Sequence, residues 1–226
     1  MTRQASAIYE VGTDTIDRQS YGYLYPEGLD TNWKKRLEFV ESASVDSPFA
    51  RNSKFRHKAG HRVTSDPFPR TLVKEGPKRP VMDFEQTMDL MIVSDAFRIC
   101  VEEVEPGVHQ FEPVEVRWKD GSIAATLYYF IVCTDLDSIA ADHVEGERKL
   151  VDYYGDGVQR LSPWRGASGT PSLRPNKMIF NLEAIGSHCI WQDGYLASNV
   201  LCSDVFKSAY EAANLVGAYF GQRRAI

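Results

Sequence analysis

The sequence predicts an α+β fold: a mainly antiparallel sheet with helices, two related strand-helix-strand units and an irregular first third. Three observations predict it. "MIVSDAFRIC", from Met91, has an echo in "VLCSDVFKSA", from Val200. A shift of 109 positions lays Ser94 on Ser203, Asp95 on Asp204, Phe97 on Phe206, Arg98 on Lys207, Glu102 on Glu211 and Phe111 on Phe220. Asp120-Gly121, a two-residue hairpin signal, joins an alternating segment to an apolar one. The first 80 residues, by contrast, hold no sustained period.

In chain order, "TNWKKRLEFVES" suits a helix with Trp33, Leu37 and Val40 on one stripe. The Pro- and Gly-rich, charged stretch up to Pro80 reads as loop with one or two short strands. "LMIV" is a short buried strand. Ser94 then reads as a helix N-cap, its hydroxyl accepting from a free N–H of the first turn, and Asp95 favours the positive helix end. Phe97, Cys100, Val101 and Val104 stand at i, i+3, i+4, i+7, opposite a charged face of Arg98, Glu102, Glu103 and Glu105. Pro106-Gly107 stops the helix. "FEPVEVRW" alternates, and the return strand "IAATLYYFIVC" is apolar on both faces, so it belongs in the middle of a sheet. The second unit repeats the device: "CIWQDGYLASNVLC" reads as strand, turn and strand. Ser203 then caps a helix carrying Phe206, Ala209, Tyr210 and Ala213. "DYYGDGVQRLSPWRGASGTPSLRPN" is a long excursion. The expected domains are a partly irregular N-terminal extension, 1–77, and an α+β domain, 78–226.

Charge is unevenly placed. Residues 51–79 carry nine Lys/Arg against two acids, +7, while the remainder carries 17 against 29, or −12. A basic, loop-like stretch on an acidic body argues against nucleic-acid binding, which needs a positive face. It suits either self-pairing or a basic protein partner. No run of about 18 apolar residues marks a membrane span, and the first residues lack the apolar stretch of a signal peptide, so a cytoplasmic protein is expected. The four cysteines, Cys100, Cys133, Cys189 and Cys202, sit singly in apolar segments and read as buried thiols.

Candidates for chemistry are few. Neither Ser94 nor Ser203 has the glycine frame of a nucleophile or a nearby histidine, so both read as structural caps. His57 and His61 are four apart, but Gly60 interrupts a helix there, and surface histidines are the plainer reading. Asp135 and Asp137 follow a central strand in a spacing able to hold Mg²⁺, though no phosphate-cradling loop accompanies them. No metal or cofactor is expected.

The block from Lys78 to Ile139 resembles immunity protein family eleven of bacterial polymorphic toxin systems. The resemblance rests on Pro80, Asp83 and Phe84, the apolar strand ending in Ser94, and the helix stop at Pro106-Gly107. Phe111, Pro113 and Val114, then Tyr128-Tyr129 running into a turn with Asp135 and Asp137, extend it. The late strand-helix-strand with Gly217 is similar to the family's C-terminal part. The resemblance implies a non-enzymatic antidote that binds a cognate toxin protein encoded nearby. Two other readings stand beside it: a metal-dependent enzyme using Asp135, Asp137 and His143, and a small-molecule sensor with its site between the two units.

For an antidote the relevant chemistry is an interface. The run Asp135, Asp137, Asp142, Glu145 and Glu147, continuing toward Tyr153, Tyr154 and Trp164, combines steering charge with aromatic anchors. These eight residues are the expected toxin contacts, and a basic nuclease is the expected kind of toxin.

Overall fold

The computed structural model describes residues 6–13, 24–26, 32–40, 60–87, 90–143, 149–151, 160–161, 178–193 and 200–226. The first unit contains β3 (Thr71–Lys74), β4 (Phe84–Thr87), β5 (Leu90–Val93), α1 (Asp95–Val104), β6 (Gln110–Trp118) and β7 (Ile123–Ile131). The second contains β11 (Ile179–Phe180), the short α2 (Leu182–Ile185), β12 (Ile190–Asp193), β13 (Val200–Ser203), α3 (Asp204–Ala212) and β14 (Ala218–Ala225). Also present are β1 (Ile8–Thr13), β2 (Leu24–Pro26), β8 (Asp135–Leu136) and the paired β9 (Leu150–Val151) and β10 (Arg160–Leu161). Two mixed six-stranded sheets result, ordered β2-β3-β6-β7-β5-β4 and β11-β14-β1-β13-β12-β8. The fold is α+β.

The two sheets are built alike. In the first, β4 pairs β5, β5 pairs β7 and β7 pairs β6, all antiparallel, while β3 joins β6 in parallel. In the second, β12-β13-β1-β14 repeats the antiparallel series and β11 joins β14 in parallel. The registers agree under the same shift: Val93 faces Tyr128 where Cys202 faces Tyr9. Phe111 likewise faces Phe130 where Phe220 faces Val11. β1 is therefore the second unit's counterpart of β7. The first 77 residues, expected as a partly irregular extension, supply β3 to one sheet and β1 to the centre of the other.

Each helix buries most of the predicted stripe, Phe97, Cys100 and Val101 in one and Phe206 and Tyr210 in the other, with Val104 and Ala209 partly buried. Ala213, expected on the stripe, is the exposed C-cap, because the helix ends at Ala212. Phe97 and Phe206 are both 1 % exposed and lie 5.6 Å apart, edge to face, with Tyr210 against Phe97. Around them one core gathers side chains of both sheets, including Val11, Phe84, Val93, Phe130, Ile190 and Cys202. The far face of the first sheet packs Val116, Leu127 and Tyr129 against Trp33, Leu37, Val63 and Phe68. The far face of the second packs Ile8, Trp191 and Leu201 against Phe180 and Ile185.

Three further expectations need correction. Trp33 and Leu37 are buried, but Trp33–Arg36 is a single 3₁₀ turn, Leu37 turns extended and Val40 is exposed. A bridge between Phe39 and Val63 takes the chain instead, because backbone pairing with residues 62–64 outweighs one marginal helical turn. Glu105 leaves the charged helix face and is buried at 6 % exposure. Ser203 occupies an N-cap position yet makes no side-chain cap bond, whereas Ser94 Oγ accepts from Phe97 N–H at 3.1 Å and donates to Asp83 at 2.6 Å. Register explains the contrast. The second-unit equivalent of Asp83 is Cys189, which brings no carboxylate to orient the hydroxyl.

Two carboxylates fasten one unit to the other. Asp83 accepts from Val216 N–H at 2.9 Å, behind α3. Glu105, closing α1, accepts from Ile190 N–H at 2.9 Å, at the start of β12, and from His109 Nε2 at 3.0 Å. Cys133 N–H donates to His109 Nδ1 at 3.1 Å, so that nitrogen is bare and the ring proton sits on Nε2, facing Glu105. Burial alone raises the Glu105 pKa, but hydrogen bonds from His109, Cys189 and Ile190 outweigh it and hold the group below the ordinary glutamate value.

Candidate functional site

α1 and the first strand after it shape a cleft among the described residues. Pro106-Gly107 ends the helix with Gly107 at φ +70°, a conformation that suits glycine, and β6 starts three residues later. The cleft between them measures about 610 Å³. Its aromatic wall is Phe111 against Tyr128, edge to face with centroids 6.5 Å apart. The opposite wall comes from residues 62–65, held by Gln110, whose side chain accepts from Val63 N–H and donates to Val63 O.

The charges of the cleft are specifically engaged. Arg98 lies 5.4 Å over the Tyr128 ring and is ion-paired with Asp95 at 2.8 Å. Arg62 donates to Gly107 O at 2.5 Å. Glu102 accepts from Gly107 N–H at 2.8 Å, and Glu112 accepts from Ser65 Oγ and Gln110 Nε2. Both carboxylates thus have neutral donors, and neither forms an ion pair with a described residue. This cleft lies on the flank of the first unit, not in the junction between units where a sensor site was expected.

The expected contact residues are placed as follows. Asp135 is half-buried in β8, alongside β12, and Gly60 packs so tightly that a Cβ there would lie 2.8 Å from Asp135 Cα. Asp137 and Asp142 are exposed, the latter with His143 in a 3₁₀ turn. Glu145, Glu147, Tyr153, Tyr154, Trp164 and His57 lie outside the described residues. Among the described residues no group of three or more His, Cys, Asp or Glu could hold a metal ion. Burial pushes the Cys100 and Cys189 thiols up to about 11 and Cys133 up to about 12, far from the range of a reactive thiolate. The basic stretch is partly structural: Lys74 is fully buried facing Glu85, and Lys78 pairs with Asp120 of the β6–β7 turn.

The decisive comparison is with family models. The model described as Immunity protein family (Imm11) matches residues 30–224. The chain belongs to the immunity protein family. No curated protein matches the chain significantly. Several of the residues that carry the family resemblance turn out to be framework. Asp83 and Ser94 are hydrogen-bonded to each other, and Phe84 and Tyr129 are fully buried. Gly217, at φ +104°, lets the chain pass against Met82, where a Cβ would come within 2.9 Å of Met82 Cβ. β1, at the centre of the second sheet, precedes the matched residues. No helix among the described residues is long and apolar enough to cross a membrane.

Sequence reasoning missed the cleft. Arg62 sits in a stretch without periodicity, and nothing local signals that it meets Gly107, 45 residues later. The spacing of Arg98 and Glu102 was the one available signal, since such an i, i+4 pair normally closes on itself.

Proposed function

We propose that this protein is an antidote that binds a cognate toxin domain and blocks it by occlusion, in the cytoplasm of the cell that makes both. The observation that carries the reading is the family match across residues 30–224. The framework role of Asp83, Phe84, Ser94, Tyr129 and Gly217 supports it further, because a shared scaffold leaves recognition to the surface. Affinity rather than turnover is then what the molecule supplies.

The toxin-facing surface includes Asp135, Asp137, Asp142, Glu145 and Glu147, with Tyr153, Tyr154 and Trp164 as anchors. Exposure of Asp137 and Asp142 supports this placement. A nuclease domain, which must be basic to hold nucleic acid, would be steered by such a surface. The test is to co-purify the protein with the product of the neighbouring gene, then reverse Asp142, Glu145 and Glu147 together. Association should slow several-fold, more at low than at high salt, since steering is screened within about 10 Å at 0.1 M. A folded triple variant with an unchanged association rate at low salt moves the surface elsewhere. Failure of the wild-type protein to bind or protect against that product removes the antidote reading itself.

A further inference from the structure

The second unit shows what the cleft of the first is shaped to hold. There Lys207, the counterpart of Arg98, lies 5.3 Å over Tyr9 and 6.0 Å over Phe220, the counterparts of Tyr128 and Phe111. The Tyr9–Phe220 pair has the same edge-to-face geometry, 6.5 Å and 88°, as Phe111–Tyr128. The Lys207 ammonium ends on Glu211, the counterpart of Glu102, at 2.5 Å, and that hydrogen bond raises its pKa. An internal lysine thus closes the second aromatic-acid face.

In the first unit Arg98 covers the Tyr128 ring at 5.4 Å, but among the described residues no cation lies over Phe111 or reaches Glu102. Arg98 turns back one turn to Asp95, and among the described residues Glu102 accepts only the Gly107 N–H. On the cleft lining Arg62 and Arg98 stand against Glu102 and Glu112, a net of zero, and Asp95 beside the lining, ion-paired with Arg98, brings the neighbourhood to one negative. The space beside Phe111 and Tyr128 is about 610 Å³, ample for one long side chain with its flanking backbone. An ammonium entering it gains two carboxylates without a cation partner among the described residues, and its methylene stem lies on Phe111, beside the Arg98-covered Tyr128.

We infer that this cleft is an anchor site for a lysine side chain of the bound protein partner, which supplies from outside what Lys207 supplies from within the second unit. That partner is the toxin of the proposed function, so the inference rests on that reading. The cleft adjoins the acidic run: Gly60 packs on Asp135, and Arg62 follows two residues later. A basic partner guided by Asp137 and Asp142 would therefore have a pocket at the edge of its footprint.

The test uses the full-length, isotope-labelled protein titrated with N-acetyl-lysine methylamide and, in parallel, its norleucine and glutamate analogues. The lysine probe should shift the signals of Glu102, Phe111 and Tyr128 saturably, and norleucine, of similar stem but uncharged, should bind about fivefold more weakly or less. Glu102→Gln keeps an oxygen for Gly107 N–H, so it should melt like the wild type while weakening the lysine probe about fivefold. Equal binding of norleucine, tighter binding of the glutamate analogue, or shifts lying outside the cleft would overturn the assignment. Glu102→Gln with Glu112→Gln is then measured against the neighbouring gene's product. Reduced affinity supports the anchor. Unchanged affinity overturns it while leaving the antidote reading intact, whereas a wild type that never binds that product overturns both.

Discussion

Ser94→Ala and Ser203→Ala are the same chemical change at equivalent positions, and the structure assigns them different consequences. Ser94 Oγ caps α1 through Phe97 N–H at 3.1 Å, and losing a cap costs about 1 kcal/mol. The same hydroxyl donates to the Asp83 carboxylate at 2.6 Å, a bond to a charged acceptor worth about 1.5–3 kcal/mol when nothing replaces it. Ser94 is only part-buried, so water can restore some of that second bond, and a total of about 2 kcal/mol is expected. Ser203 makes no cap bond, and its removal should cost less than about 0.5 kcal/mol. Urea unfolding of both variants, fitted with a common slope, separates the two values. Equal losses, or a larger loss at Ser203, would refute the reasoning, since the cap and the Asp83 bond are the only difference invoked. Neither change should alter toxin affinity per folded molecule.

Other outcomes follow from the joints of the fold. Glu105 has a folded pKa below 4.5, so its contribution is present above that value and is lost as pH falls through the folded one. Glu105→Gln should cost about 2 kcal/mol at pH 7 and flatten the acid side of the stability profile; an unchanged acid limb would show that the carboxylate is not the linked group. Gly217→Ala combines a positive φ with a clash at Met82 and should destabilise by about 2 kcal/mol or more, read as a drop in melting temperature.

Much of the first unit was legible because its information is local. The Ser94 cap, the stripe Phe97-Cys100-Val101 and the Asp120-Gly121 hairpin are each settled within a few residues. β1 was not legible. Its six residues, IYEVGT, show burial only at Ile8, Val11 and Thr13, too short a pattern to stand out, and its partners lie about 190 residues away. The 109-residue echo cannot extend to β7 for the same reason: its counterpart, β1, comes from the start of the chain. Glu105 misled because helical periodicity was carried one residue past the last turn, where Glu105 N–H closes on Val101 O and the side chain turns inward. The cleft escaped because it depends on what two charged residues do not do.

The two joints between the units show how far the repetition goes beyond the residues that spell it. In each, the start of a strand meets the segment that follows the other unit's helix: Asp83-Phe84 against Val216, and Cys189-Ile190 against Glu105. Register makes Asp83 equivalent to Cys189 and Phe84 to Ile190, so the contacts correspond under the exchange of units. The carboxylate has changed sides. It stands on the strand in one joint and on the helix end in the other, and each time it accepts a backbone N–H of the opposite unit. A buried N–H left without an acceptor costs about 1–3 kcal/mol, whereas which element carries the acceptor costs nothing. The physical requirement therefore fixes the joint and leaves its residues free. Freedom of the same kind operates at the surface, where Lys207 over Tyr9 ends on Glu211 while Arg98 over Tyr128 turns to Asp95 and leaves Glu102 without it. With Phe97 and Phe206 locked together in a common core, where losing either ring would cost about 3–5 kcal/mol, one face can diverge toward a partner without loosening the other.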